Sequence, residues 1–226
     1  MNQFPGVVSL FIACIELVLL INLFVFAEKN RTNKLIITIV ALLFGYQFME
    51  FFICYTGNYS HVFVYLAFVI ITFLPPLLLL LVFTIQKKKS KLLFVIFLPA
   101  VLLLGYYFFV MQDFIITECT VLFAAYDMPL GDLYGVVYYS PIIISVILLG
   151  KMISLSEYKK EKINLYVMLF GVLGAFVPVA LIIAAFPNLI DYVESFFCKA
   201  ASLIAITLSI VAIRNKEKIK EVDNGE

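Results

Sequence analysis

The chain lacks tryptophan and has a single histidine, His61, in 226 residues. One histidine cannot supply the imidazole cluster that intramembrane metal hydrolases use, and the four cysteines show no Cys-x-x-Cys spacing, so no metal site is expected. His-Glu-x-x-His, Gly-x-Ser-x-Gly and a phosphate-cradling glycine loop are also missing, which leaves catalysis without a signature. Charged side chains make up only 14% of the residues, against about one quarter in a soluble domain. Internal repeats, low-complexity tracts and Gly/Ser linkers are absent too. Their absence argues against an inverted-repeat transporter and for a single domain over residues 1–226.

What is there is apolar: 64% of the residues, with a mean hydropathy of +1.10. Crossing ~30 Å of hydrocarbon at ~1.5 Å per residue takes about 20 apolar residues in a helix. Seven stretches are that long: Gly6 to Ala27, Leu35 to Tyr55, Val62 to Ile85, Leu92 to Val110, Tyr134 to Met152, Asn164 to Phe186 and Leu189 to Ile213. Lipid cannot satisfy backbone polar groups, so each must be helical. The expected fold is therefore all-α, a polytopic membrane protein built as a bundle of seven transmembrane helices. The first stretch has no basic segment before it and no small-residue cleavage site after it, and reads as a retained helix. Pro75, Pro76, Pro141 and Pro178 are expected to bend their helices. Gly171, Gly174, Ala201 and Ala205 are expected to let helices approach closely.

Basic residues set the orientation. Lys29, Arg31 and Lys34 follow the first stretch, Lys87, Lys88, Lys89 and Lys91 the third, and Lys151, Lys159, Lys160 and Lys162 the fifth. Arg214, Lys216, Lys218 and Lys220 end the chain. Alternating helices bring all of these to one side, which the positive-inside bias makes cytoplasmic, with the N-terminus outside. The opposite side is acidic, with Asp113, Glu118, Asp127, Asp132 and Asp191. This is the pattern of a multi-pass protein of the plasma (inner) membrane. The basic loops read as topology determinants that contact anionic lipid or a cytoplasmic partner, and nothing points to nucleic acid.

One basic residue, Lys199, falls inside the seventh stretch, and Glu16 and Glu50 fall inside the first and second. A charge at the bilayer centre costs at least ~2.5–3.5 kcal/mol, so such residues face the bundle interior and find partners. Counted from the outer ends, Glu16 and Lys199 lie ~15 Å deep and Glu50 ~8 Å. Gln47, Glu50 and Cys54 form one helical stripe and Ser195, Lys199 and Ser202 another, bordered by Glu194 and Cys198. Two carboxylates against one ammonium leave one negative charge for a proton, a cation or a cationic ligand. The site residues expected are Glu16, Gln47, Glu50, Glu194, Ser195, Lys199 and Tyr138. Three readings are open: a structural Glu16–Lys199 pair with Glu50 protonated or bonded to Gln47 and a tyrosine, a binding or proton-relay site, and Schiff-base chemistry at Lys199. The solute would be small and cationic or proton-linked; the alternative is a receptor-like sensor.

The long connection from Met111 to Leu133 reads as an interfacial lid, and His61 as a solvated loop-tip residue. Cys54 and Cys119 both fall on the oxidising side, where a disulfide would pin that loop. Tyr106 and Tyr107 read as an interfacial aromatic belt.

The segments Leu43-Phe-Gly-Tyr-Gln-Phe-Met-Glu50, Leu133-Tyr-Gly-Val-Val-Tyr-Tyr139 and Glu194-Ser-Phe-Phe-Cys-Lys-Ala-Ala201 resemble blocks of an uncharacterised family of bacterial seven-helix membrane proteins. That resemblance implies no activity; it singles out Gln47, Glu50 and Cys198. A second resemblance, to microbial rhodopsins, rests on the seven helices, their orientation, Lys199 and Thr72-Phe-Leu-Pro-Pro-Leu-Leu-Leu-Leu80. It implies retinal on Lys199. With no tryptophan and no acid in the third stretch, Glu16 or Glu50 would be the counterion. The residues by themselves call for no cofactor.

Overall fold

A computed structural model describes residues 5–86, 95–121, 124–186 and 193–215. The helices are α1 (Val7–Phe26), α2 (Arg31–Thr56), α3 (His61–Thr72), α4 (Leu74–Ile85), α5 (Leu98–Phe109), α6 (Gly131–Leu155), α7 (Lys159–Ala185), α8 (Val193–Ala200) and α9 (Ser202–Arg214). Six helical segments are long and apolar enough to cross a membrane; α3 with α4 counts as one of these, as does Phe196–Arg214. The segment Val95–Phe109 is a shorter apolar helix. Large apolar side chains such as Phe11, Phe109, Ile147 and Leu181 are exposed on the outside of the bundle, which suits lipid as the surrounding solvent.

Local chemistry explains where the helices differ from expectation. Pro75 and Pro76 occupy the first turn of α4, where a missing N–H costs nothing, and the chain breaks before them at Phe73. Pro99 likewise lies in the first turn of α5, which starts at Leu98 after a single 3-10 turn; the expected start at Leu92 lies outside the described residues. Pro141 and Pro178 lie inside unbroken helices. The Asn30 side chain accepts from the Asn33 N–H and caps α2, which begins at Arg31 and not Leu35. Polar residues extend α6 to Leu155 and start α7 at Lys159, beyond the apolar stretches. The seventh stretch is two helices, with a turn at Ala201.

The elements close into a ring: α1 packs on α2 and α9, α2 on α3, α4 and α9, α4 on α6, α5 on α3 and α6, and α7 on α6, α8 and α9. Gly171 and Gly174 let α7 reach α9; a Cβ at Gly171 would overlap the Thr207 hydroxyl, and one at Gly174 would lie 2.5 Å from Leu203 Cδ2.

The connection from Met111 to Leu133 is more than an interfacial lid. It holds an antiparallel hairpin, β1 (Ile115–Cys119) and β2 (Ala124–Asp127), with an irregular register between Ile116 and Glu118. Phe114 enters the core against Phe68 and Tyr107 with ring centroids 4.9 and 5.0 Å apart. Tyr107 is fully buried in this cluster, whereas Tyr106 is exposed, so only Tyr106 keeps the belt position. His61 is more than a solvated loop-tip residue: its Nδ1 lies 3.1 Å from the Phe114 carbonyl oxygen. Gly6 N donates to Thr120 O (2.9 Å) and Val8 N to Val121 O (3.3 Å), while a Cys54–Cys119 disulfide joins α2 to β1. Gly6 has φ 74° and packs where a Cβ would meet Phe51 Cα at 3.2 Å, so glycine is required where α1 enters under the hairpin.

Replacing Gly171 by alanine should separate α7 from α9 and lower stability by about 1–3 kcal/mol, the usual cost of overpacking. Gly105→Ala, where a Cβ meets nothing within 4 Å, should cause no loss. Thermal unfolding in detergent micelles measures both.

Candidate functional site

The ionisable residues inside the spans converge between α1, α2 and α8, beneath the hairpin. Lys199 Nζ donates to Glu50 Oε2 at 2.6 Å, Ser9 Oγ at 2.8 Å and Gln47 Oε1 at 3.1 Å. These three bonds use all three ammonium protons. The other end of the Gln47 amide donates to the Cys198 carbonyl at 2.7 Å, so one amide grips two consecutive residues of α8. At the turn after α8 the Lys199 carbonyl accepts from Ser202 Oγ at 2.8 Å. Tyr46 and Cys198 are joined by a side-chain hydrogen bond, and Tyr46 also interacts with Glu50 and Tyr126.

The partner of Lys199 is thus Glu50, not Glu16. Their direct contact puts Lys199 and Glu50 at one level. The pair is enclosed: the side chains of Lys199 and Glu50 are 14% and 1% exposed.

Glu16 is 0% exposed, and neither of its carboxyl oxygens has a hydrogen-bond partner. It feels the Lys199 charge without bonding to it. An uncompensated carboxylate in such a place is far too costly to stand alone, so the position calls for a proton or a cation.

Tyr138 stands elsewhere. It stacks on Tyr134 with centroids 5.6 Å apart and lines an apolar cavity with Phe176, Phe197 and Ala201. The backbone of Glu194 and Ser195 belongs to α8, but their side chains lie outside the described residues. Ser9 was not anticipated, although it lies seven residues before Glu16 and so on the same face of α1. The apolar cavity is about 50 Å³ and opens on the α8 face opposite Lys199. Ligand pockets run to roughly 300–1,000 Å³. Lys199 is not among the residues that line this 50 Å³ cavity.

Comparison with protein-family models, curated proteins and solved structures yields no significant match to the chain.

Glu50→Gln should leave Lys199 buried beside neutral partners and lower stability by about 3–5 kcal/mol, as breaking buried pairs does. Adding Lys199→Met to that variant should recover most of the loss. Unfolding midpoints in determined detergent conditions decide it: a Glu50→Gln protein as stable as the parent would mean the pair does not form.

Proposed function

We propose that this chain is a seven-span protein of the plasma (inner) membrane, hairpin end outside and lysine-rich end in the cytoplasm, that binds and passes a proton or small monovalent cation at Glu16. The seventh span is Val95–Phe109, whose fifteen residues reach ~22 Å, short of a full bilayer but aided by flanking residues and local thinning. The hairpin end is the acidic one, and it carries the disulfide, a bond of oxidising compartments.

The observation that carries the functional reading is Glu16, a fully buried carboxyl group with both oxygens unpartnered. Glu50 is neutralised by Lys199, so the surplus negative charge of the cluster belongs to Glu16. A purely structural cluster has no need of the second acid, whereas a carrier of a proton or cation needs an acceptor that the fold leaves vacant of hydrogen bonds. Neighbouring Ser9, Gln47 and Lys199 hold the site's shape while Glu16 changes its charge.

The purified chain in liposomes, with a pH-sensitive dye inside and a potassium diffusion potential, should conduct protons or monovalent cations well above empty vesicles. Glu16→Gln should cut that flux at least tenfold while preserving the melting temperature. Equal flux in parent and variant would sink the reading, and Glu16-dependent binding without flux would favour a sensor.

A further inference from the structure

A second cavity, partly polar, lies at the lysine-rich end, remote from Glu16. It measures about 610 Å³, is open to the outside, and is bordered by the ends of α4 and α6, the link after α6 and the start of α7. We propose that this cavity binds the headgroup of an aminophospholipid, with the primary ammonium among Gln86, Ser156, Glu157 and Glu161 and the phosphate on Lys151.

Its two kinds of wall point to an amphiphile. Ile85, Leu148, Met152, Leu155 and Leu165 form an aliphatic side that suits the first carbons of an acyl chain. The remainder is rich in acceptors. Gln86 Oε1 and Ser156 Oγ are buried and have no hydrogen-bond partner. The carboxylates of Glu157 and Glu161 line the same space. Both α4 and α6 end there, at Gln86 and Ser156, so the partial negative charge of two helix C-termini adds to the two acids. The acids favour a cation, and the unpartnered acceptors favour one that carries N–H donors, because a hydrogen bond to a charged donor is worth more than one to a neutral donor. A trimethylammonium group has no N–H to give. Lys151 supplies the one positive side chain on the described wall, and meets an anion beside that ammonium. A phosphate joined to a primary amine satisfies both, and the ends of spanning helices are where such headgroups lie.

The full chain, purified in detergent, is exposed to ethanolamine, choline and glycerol phospholipids of identical acyl chains, and retained lipid is counted by native mass spectrometry. The ethanolamine lipid should be retained at least fivefold over the other two. Glu157→Gln with Glu161→Gln should remove that preference, and Lys151→Met should weaken retention of the ethanolamine lipid, with unfolding temperature confirming that both proteins fold. Equal retention of choline lipid, or an undiminished preference in the double variant, overturns the proposal. Displacement by free phosphoethanolamine at comparable concentration would assign the cavity to a soluble zwitterion and overturn the lipid assignment.

Discussion

A lysine ammonium inside a helix of membrane-spanning length has to find a carboxylate, and the position of that carboxylate constrains everything around it. Lys199 reaches Glu50 at 2.6 Å, which draws α8 against α2. Ser9 then ties α1 to the same nitrogen, and Gln47 holds the α8 backbone one residue before it. Low dielectric makes each of these bonds stronger than it would be in water and makes each missing one more costly. Three helices are therefore fixed at one level by a single charge. Glu16, alone on the same inner surface, has significance only because the other acid is already matched.

The hairpin depends on that arrangement and also protects it. Cys54 lies one helical turn beyond Glu50 on the same face of α2, so the disulfide to Cys119 places β1 above the ion pair. The start of α1 bonds to the residues after β1: Gly6 and Val8, three residues and one residue before Ser9, donate to the carbonyls of Thr120 and Val121. Phe114 and His61 anchor the other side. The roof thus joins α1, α2 and α3.

At the opposite end Asn33 Nδ2 reaches the Ala212 carbonyl at 3.4 Å and links α2 to α9, while α4, α6 and α7 border a cavity of about 610 Å³. The hairpin and the disulfide lie at the other end.

Much was legible from composition and helical spacing. The apolar stretches, the inward stripe of Gln47, Glu50 and Cys54, the Cys54–Cys119 bond and the close approach at Gly171 all follow from properties each residue carries locally: transfer cost, periodicity, redox side and size. The pairing of charges was not of that kind. Counting depth along each helix matched Lys199 with Glu16, but the packing of the helices brings it against Glu50 at 2.6 Å. The hairpin was missed because its strands are short and one is irregular, and Tyr107 reads the same in a belt or a core until Phe114 packs on it. Sequence alone therefore determined that the chain belongs in a membrane and which charges would have to be accommodated there. Tertiary structure decided which acid is neutralised and which is left, because that depends on the packing and mutual rotation of the helices, which hydropathy does not encode.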